Sequence, residues 1–260
     1  ERCKSLLHMI DITDDDVKEV ERVLRSDFLT QGPEVPQFES DFSEYIGSEY
    51  CVAVNSATSA LHLSCMALGL KEGDILWTSA ITFVASANCA LYCGSSVDLV
   101  DIDKESSNIS IDDLKKKLSK SKKENTLPKI VIPVHLAGLS CEMDEIKNLS
   151  LDYGFKVIED ASHAAGGSYK SKKIGSCEYS DMSVFSFHPV KNFTTGEGGI
   201  ISTNDKDLYL KLKSLREHGI NKDSSSMIYP SDGPWYYEQV DLGFNYRMTD
   251  ISAAFPRSQS

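Results

Sequence analysis

The sequence predicts an α/β fold in which a mostly parallel sheet is flanked by helices. Short β-branched runs alternate along the chain with amphipathic segments, which is typical of βα units. Polar residues follow several of these runs directly, and α/β sheets bind their ligands at the carboxyl ends of strands. A composition of 41% hydrophobic and 25% charged residues is that of an ordinary globular protein.

Two helices are expected before the sheet begins. Thr13 with Asp16 forms a candidate N-cap for a helix over residues 14–26, and a second helix is expected over residues 35–45. Strands are then expected at residues 51–55, 75–78, 97–101, 130–133, 156–158, 182–186 and 199–202. The helices that connect or follow them are expected at residues 58–68, 84–93, 111–118, 143–151 and 206–218.

Charge and cysteine spacing narrow the possible functions. The net charge of −12 argues against nucleic-acid binding, which requires clustered Lys and Arg, and the Lys-rich stretch 115–123 is interpreted as a solvated helix end and loop. The seven cysteines lack Cys-x-x-Cys spacing, so buried free thiols and no metal site are expected. No signal-peptide core or membrane-spanning apolar run is present, which predicts a cytoplasmic protein without a membrane partner.

The segment around Lys191 is the most informative one. An apolar strand ends in a polar turn that holds this lysine, and the run Gly-Glu-Gly-Gly follows at residues 196–199. Partial burial or a neighbouring cation lowers the pKa of an amine and makes it a nucleophile. Taken alone, Lys191 is more often a surface lysine and the glycine run a plain turn. The interpretation therefore depends on the other motifs.

Asp160 and His163 form a second motif, after the strand over residues 156–158. A carboxylate at a strand end can keep a pyridine nitrogen protonated, and pyridoxal phosphate acts as an electron sink only when that nitrogen accepts charge. The alternative is that Asp160 simply caps a helix. His163 lies one helical turn further and would reach the phenolate oxygen of such a cofactor, although an isolated histidine is more often structural.

A third motif offers a phosphate site. Thr58 and Ser59 open a helix directly after the strand over residues 51–55, where amide groups and hydroxyls bind anions, but the same residues would also serve as an N-cap. Ser186 precedes Lys191 by one short segment and adds a hydroxyl. Phe83 begins another helix after a strand and would stack on a pyridine ring, unless it is a core residue.

Together these motifs resemble the DegT/DnrJ/EryC1/StrS family of sugar aminotransferases, over about residues 10–254. Their order along the chain is more specific than any single motif. The blocks that carry the resemblance are Thr-Gln-Gly-Pro, Asn-Ser-Ala-Thr-Ser-Ala, Thr-Phe-Val-Ala, Glu-Asp-Ala-Ser-His-Ala, Ser-Phe-His-Pro-Val-Lys, Gly-Glu-Gly-Gly and Asn-Tyr-Arg-Met-Thr-Asp. One departure is Ala57-Thr58, where many members have Gly-Thr, and the first nine residues do not match.

The resemblance implies the large domain of a fold-type I transferase, an α/β/α sandwich that binds pyridoxal 5'-phosphate (PLP). Its implied divisions are an N-terminal arm and helix over residues 1–30, the PLP-binding domain over 31–254, and a truncated tail over 255–260 without the small C-terminal domain. That absence puts full activity in doubt.

The resemblance also implies roles for individual residues. The implied catalytic residues are Lys191, Asp160 and His163. The implied cofactor ligands are these three with Thr58, Ser59, Phe83, Ser186 and Asn245, the last reaching the partner subunit of a homodimer. The implied substrate contacts are Asp27, Phe28, Leu29, Thr30 and Arg247.

The implied reaction moves an amino group from an amino acid, glutamate by resemblance, to C4 of a nucleotide-linked 4-keto-6-deoxy sugar for surface glycan or nonulosonic acid synthesis. One alternative is a sugar dehydrase on the same fold that uses pyridoxamine phosphate (PMP). Lys191 argues against this alternative, because the dehydrases carry a histidine at that position. A second alternative is a non-catalytic or regulatory member that only binds the cofactor.

Overall fold

A computed structural model of the chain describes residues 12–225 and 227–259. The strands are β1 (Tyr50–Val54), β2 (Ile75–Ser79), β3 (Ser96–Val100), β4 (Ile130–Ile132), β5 (Lys156–Asp160), β6 (Ser168–Tyr169), β7 (Lys172–Lys173), β8 (Met182–Ser186), β9 (Gly199–Thr203), β10 (Ile220–Asn221) and β11 (Glu238–Gln239). The helices are α1 (Asp14–Leu24), α2 (Glu34–Ile46), α3 (Ala57–Ala67), α4 (Ala85–Tyr92), α5 (Ile111–Glu124), α6 (Met143–Tyr153), α7 (Lys206–Arg216) and α8 (Asp250–Gln259).

Seven strands form one sheet in the order β1-β9-β8-β5-β4-β2-β3. The pairs from β8 through β5, β4 and β2 to β3 are parallel, whereas β9 runs antiparallel to both β8 and β1. Strand β9 is therefore the one reversed strand of this sheet. Because of this reversal, the first residue of β9 lies beside the last residues of β1 and β8, and pairs with Val54 and Ser186.

Helices pack on both faces of the sheet, since alternate strand residues point to opposite sides. On one face, Val52 and Ile158 join a buried cluster that includes residues of α3, α4 and α7. On the other face, Ala53 packs with α2, and Val157 packs with α5 and α6. The predicted α/β/α sandwich with a mostly parallel sheet is confirmed.

Helix α1 has a capped start, and the turn that follows it is hydrogen-bonded to α8. The side chain of Thr13 and that of Asp16 form the predicted capping box, with Thr13 N–H donating to Asp16 at 2.7 Å. The carboxylate of Asp250, at the start of α8, accepts 2.8 Å hydrogen bonds from the amides of Gly32 and Glu34. The turn between the first two helices is thereby held against α8.

The predicted elements agree with the structure within a few residues, with two exceptions. Helix α5 continues to Glu124, so residues 115–123 are helical throughout and the loop expected there was wrong. Leu118 and Ser121 on its inner face are buried. The C-cap residue, Asn125, has a left-handed backbone conformation that ends the helix. Helix α8, over Asp250–Gln259, lies outside the set of predicted helices. The strands of the short pairs β6–β7 and β10–β11 have two residues each, which is too few for a periodic pattern of hydrophobic residues to predict them.

The cysteines in the described part of the chain are free, and all but one are buried; Cys93 is partly exposed. Burial raises the pKa of the Cys177 thiol to about 11, and burial raises that of Cys93 to about 11 as well. The expectation of buried free thiols is thus confirmed for five of the six, while Cys3 lies outside the described residues. Among the described helices, no candidate has the length and apolar character to cross a membrane.

Candidate active site

A cavity of about 670 Å³ lies at the carboxyl edge of the sheet. It opens where β1, β5 and β8 end and where α3 and α4 begin. Seven of the residues singled out from the sequence line it, namely Thr58, Ser59, Phe83, Asp160, His163, Ser186 and Lys191. The sequence motifs therefore converge in space, although long stretches of sequence separate most of them.

Lys191 lies in the turn after β8, where its amide donates a 2.9 Å hydrogen bond to the carbonyl of His188. Its side chain is half-buried in the cavity wall. Burial lowers the pKa of the Lys191 amine, and the negative charge of Asp160 opposes that shift. A lower pKa leaves more of the amine unprotonated near neutral pH, which is the form that attacks a carbonyl carbon.

Asp160 is the last residue of β5 and is almost completely buried, with 4% of its surface exposed. One carboxylate oxygen, Oδ2, accepts a 2.6 Å hydrogen bond from Oγ of Ser86, and the other, Oδ1, accepts one of 3.2 Å from the amide of Ser162. A buried carboxylate facing a cavity is an acceptor for a protonated nitrogen of a bound ring.

The preceding residue, Glu159, points to the opposite face of the sheet and takes no part in the cavity. Its Oε2 lies 2.8 Å from Nε2 of His135, and its Oε1 accepts hydrogen bonds from Ser180 and Ser183 at 2.5 and 2.9 Å. The amide of Cys141 donates to Nδ1 of His135 at 3.2 Å. This buried group is fully hydrogen-bonded within the core and supports the strand that carries Asp160.

His163 presents its imidazole to the cavity from the loop after β5. Its Nδ1 accepts a 3.3 Å hydrogen bond from the amide of Ala137, whose backbone is left-handed with a φ of 53°. Burial lowers the pKa of His163, the charge of Lys191 lowers it further, and Asp160 opposes both. The neutral ring therefore carries its proton on Nε2 and is a hydrogen-bond donor there.

The start of α3 is the candidate anion site. Ser56 is the N-cap and accepts a 3.1 Å hydrogen bond from the amide of Ser59, and Ser59 Oγ donates to Oδ1 of Asn55 at 2.7 Å. The hydroxyl of Ser59 is thus engaged in the cap, while the amides of Ala57 and Thr58 belong to the first turn and have no acceptor within the helix.

Gly199 allows the reversed strand to approach this helix start. A Cβ atom at Gly199 would lie 2.6 Å from the amide nitrogen of Ala57 and 2.7 Å from the carbonyl carbon of Ser56. Glycine is therefore required here by close packing. The sequence indicated the glycine run only as a turn, and its contact with α3 becomes visible in the fold.

Phe83 and Ser186 complete the cavity wall. Phe83 precedes α4 and is 69% exposed, so the alternative of a core position for it does not hold. Its ring is available to a planar ligand. Ser186, the last residue of β8, is buried, and its Oγ accepts a 3.4 Å hydrogen bond from the amide of His188.

The remaining predicted residues do not line this cavity. Asn245 forms an isolated antiparallel β-bridge with Glu217, and Arg247 forms one with Val54. Arg247 also lines a second cavity of about 520 Å³. The segment Asp27, Phe28, Leu29 and Thr30 joins α1 to α2, and the carbonyl of Leu29 accepts the amide of Asp250 at 3.1 Å. In the single chain, none of these residues is among those that line the cavity with Lys191.

The sequence analysis missed several residues of the cavity wall. These are Asn55, Ser56, Ser162, His188, Val190 and Glu197. Most flank the motifs that were singled out. Ser86 was missed as well; it does not line the cavity but donates a hydrogen bond to Asp160. Ser86 had no comparable signal, because its partner Asp160 lies 74 residues further along the chain.

Comparison with known proteins shows the family to which a chain with this fold and cavity belongs. A sequence model of the DegT/DnrJ/EryC1/StrS aminotransferase family matches residues 10–259. The chain belongs to this family.

Three relatives illustrate the similarity. The UDP-4-amino-4,6-dideoxy-N-acetyl-beta-L-altrosamine transaminase of Campylobacter jejuni (serotype O:23/36) is 43% identical over 248 residues, which are 95% of this chain and 62% of that protein. Helicobacter pylori PseC, an aminotransferase involved in the biosynthesis of pseudoaminic acid, is 32% identical with a TM-score of 0.87, over 97% of this chain and 64% of that one.

Spr1654 of Streptococcus pneumoniae in its PMP form is 30% identical with a TM-score of 0.83, over 96% of this chain and 65% of that one. The chain thus spans about three-fifths of the length of the relatives it matches, 61% and 62% of the curated ones.

Proposed function

We propose that this chain is a PLP-dependent aminotransferase that transfers an amino group from an amino acid to C4 of a nucleotide-linked 4-keto-6-deoxy sugar. The observation that carries the proposal is that a half-buried Lys191 with a lowered pKa and a buried Asp160 line one cavity beside a helix start. An amine, a carboxylate and an anion site are the three groups that PLP binding requires.

The residues present fit this cofactor. Lys191 supplies the amine that attaches to an aldehyde, Asp160 accepts a hydrogen bond from a protonated ring nitrogen, and the first-turn amides with the Thr58 hydroxyl bind a phosphate. Ser59 contributes through the cap that holds this turn, Ser186 adds a hydroxyl, and Phe83 covers a ring face. When bound, PLP supplies an electron sink that stabilises negative charge on the carbon next to an amine.

Proton transfer falls to Lys191. Its Nζ, unprotonated to a greater extent because burial lowers its pKa, takes up the proton that leaves the α-carbon of the amino donor. Asp160 would accept a hydrogen bond from the protonated ring nitrogen and so favour its protonated form. His163 donates from Nε2 to a ring oxygen, since its Nδ1 is already occupied by the amide of Ala137.

The substrates are proposed from the relatives. The Campylobacter jejuni relative is named as a transaminase of a UDP-linked amino sugar, and the PseC relative as an enzyme of pseudoaminic acid biosynthesis. We propose glutamate as the amino donor and a UDP-linked keto sugar as the acceptor. Arg247 and the segment over residues 27–30 would contact the sugar nucleotide.

A homodimer would complete the site. Asn245 does not line the cavity of its own chain, which is compatible with a role in the cavity of a second subunit. Arg247 follows it by two residues and lines the second cavity with Lys222 and Gln31, where the positive charges would favour a diphosphate. Two-fold symmetric dimers are the commonest homo-oligomers.

The two other candidate functions are less well supported. A PMP-dependent dehydrase on this fold has no use for an amine at residue 191, and Lys191 lies in the cavity with a lowered pKa. A cofactor-binding regulatory member would retain the same cavity, and only a reaction with an amino donor separates it from a transaminase.

The proposal is tested by loading the purified chain with PLP. We expect a visible absorbance band, covalent labelling of the peptide that contains Lys191 after borohydride reduction, and loss of the band on adding glutamate. The matched variants are Lys191→Ala, which should give neither band nor label, and Lys206→Ala on the exposed first turn of α7, which should behave as wild type.

Two outcomes would contradict the proposal. Wild-type protein that takes up no PLP, or a label that persists in Lys191→Ala, excludes the assigned cofactor site. A band that stays unchanged on adding glutamate, alanine or aspartate excludes transamination and favours the regulatory role.

A further inference from the structure

Ser86 makes the shortest hydrogen bond to Asp160 and has no part in the reaction described so far. It lies in the first turn of α4, is fully buried, and its Oγ donates to Oδ2 of Asp160 at 2.6 Å. We propose that Ser86, supported by Thr82, is a positioning residue that orients the Asp160 carboxylate toward the ring nitrogen of the cofactor. This inference rests on the proposed function.

The hydrogen-bond directions follow from counting protons. A serine hydroxyl has a single proton, and Ser86 uses it on Asp160, whose carboxylate only accepts. The 2.8 Å contact between Oγ1 of Thr82 and Oγ of Ser86 therefore has Thr82 as the donor, and the carbonyl of Phe83 is a second, more distant acceptor of the same proton at 3.3 Å. Thr82 is partly exposed, so the two hydroxyls form a short chain of aligned dipoles that runs from the surface to the carboxylate. Such chains strengthen each member by polarisation.

Ser86 restricts rotation about the side-chain torsions of Asp160. The backbone of Asp160 is already held by hydrogen bonds on both sides, from its amide to Pro133 at 2.9 Å and from the amide of His135 to its carbonyl at 3.0 Å. The amide of Ser162 occupies one lone pair of Oδ1, and Ser86 occupies one of Oδ2. A carboxylate has about four acceptor sites, so lone pairs remain for a ring nitrogen.

A neutral donor suits this position better than a charged one. The cations that face Asp160 from the cavity are Lys191 and, when protonated, His163, while Glu159 on the same strand points to the other side of the sheet. A lysine or arginine in place of Ser86 would compete with the ring nitrogen for the carboxylate. A hydroxyl fixes the geometry and leaves the negative charge available.

The same short segment also places Phe83. Ser86 lies in the first turn of α4, and Thr82 and Phe83 come just before that helix, so the aromatic residue of the cavity wall and the two hydroxyls lie within five consecutive residues.

The test compares four variants of the chain. Ser86→Ala removes the donor, Ser86→Thr retains a hydroxyl, and Thr82→Val removes the second hydroxyl at nearly constant volume. Ser64→Ala is the matched control, because Ser64 is a buried helical serine whose Oγ has no hydrogen-bond partner among the described residues. Melting temperatures of the apo-proteins verify folding.

The first readout needs no cofactor. In crystals of the apo-protein, the Asp160 carboxylate should rotate away from its wild-type orientation in Ser86→Ala and keep it in Ser86→Thr and Ser64→Ala. An unchanged orientation in Ser86→Ala would overturn the inference. Because this readout is independent of PLP, it separates failure of the Ser86 role from failure of the proposed function, which a lack of PLP uptake by wild type would reveal.

The second readout is cofactor affinity, measured by quenching of intrinsic fluorescence. Loss of a hydrogen bond to a charged group predicts a roughly ten- to hundredfold weaker PLP affinity for Ser86→Ala and a smaller loss for Thr82→Val. We expect kcat to fall with an unchanged KM for the amino donor, and Ser86→Thr to recover both. If Ser86→Ala does not fold, Thr82→Val carries the test, and wild-type affinity in that variant would count against the chain of hydroxyls.

Discussion

The imidazole of His163 accepts a hydrogen bond at Nδ1 from the amide of Ala137, across 3.3 Å. The two residues belong to different loops, after β5 and after β4, and Ala137 adopts a left-handed backbone to aim its amide. Gly138 beside it also has a positive φ of 88°, and a Cβ there would lie 3.1 Å from the carbonyl of His163. The loop geometry thereby selects the tautomer that donates from Nε2 into the cavity.

His163→Ala should weaken PLP binding and shift the visible band of the loaded protein, because the ring oxygen loses its donor. His163→Gln should stay close to wild type, since an amide NH₂ supplies a neutral donor of similar reach. The expected loss for the alanine variant is roughly tenfold in affinity, as for one hydrogen bond. Absorption spectra and fluorescence titration measure both, and equal behaviour of the two variants would refute the donor role.

Asp160→Asn and Glu159→Gln form a matched pair of neighbouring carboxylates on opposite faces of β5. Asp160→Asn should lower kcat/KM by roughly a hundredfold or more with little change in stability, because the ring nitrogen loses its charged partner. Glu159→Gln should cost about 1–3 kcal/mol of unfolding free energy, because it disturbs the buried hydrogen bonds with His135, while activity per folded molecule persists. Urea unfolding measures the stability of each variant, and steady-state kinetics measures its activity. If Glu159→Gln lost activity and Asp160→Asn lost stability instead, the assignment of the two side chains to their faces of the sheet would be wrong.

Gly199→Ala should damage the anion site. The added methyl group would overlap the start of α3, which displaces the amide of Ala57, so PLP affinity falls together with about 1–3 kcal/mol of stability. Gly196→Ala is the control, because the added Cβ would meet no atom within 4 Å. Its φ of 81° is unfavourable for alanine and should cost about 1–2 kcal/mol of unfolding free energy. Titration with inorganic phosphate and with PLP should show weaker binding for the first variant alone.

Buried His62 should make the protein less stable in acid. Burial lowers the pKa of His62 below its usual value of 6.5, so the unfolded chain binds a proton that the folded chain resists. The stability that this histidine contributes is present above pH 6.5 and is lost as the pH falls through its folded pKa. His62→Phe should flatten the fall in unfolding free energy between about pH 7 and about pH 5. A slope equal to that of wild type in urea titrations would contradict this assignment.

Asn245 should complement Lys191 across the subunits of a dimer. Lys191→Ala and Asn245→Ala are each expected to be impaired alone, the second through roughly tenfold weaker PLP binding. A hybrid dimer of the two carries one intact site, so random mixing at limiting PLP should restore about a quarter of the wild-type activity. No recovery after verified subunit exchange would place Asn245 in its own chain's site or outside any site.

Much of the site could be predicted from the sequence because its residues follow strand ends. Asp160 and Ser186 close parallel strands, Thr58 opens the helix after another, and parallel strands bring these ends to one edge. Lys191 was ambiguous as a single residue, and the agreement of several motifs made it a candidate. The family resemblance added the assignment of each residue to a part of the cofactor.

Other features depended on contacts between distant residues. The acidic pair Glu159 and Asp160 has one side chain on each face, and only the sheet pairing decides which one faces the cavity. Ser86 reaches Asp160 across 74 residues of sequence. The length of α5 depended on burial of Leu118 and Ser121, which a Lys-rich local composition obscured.

The sequence by itself determined the alternation of strands and helices, the polar residues at the strand ends and the membership of an aminotransferase family, because these depend on local periodicity and on short motifs. Only the tertiary structure decided that β9 is reversed, so that Gly199 meets α3, that Ser59 is engaged in a cap, and that Ser86 holds Asp160. Hydrogen bonds and close packing between distant segments have no local pattern, since their geometry exists only once the sheet has formed.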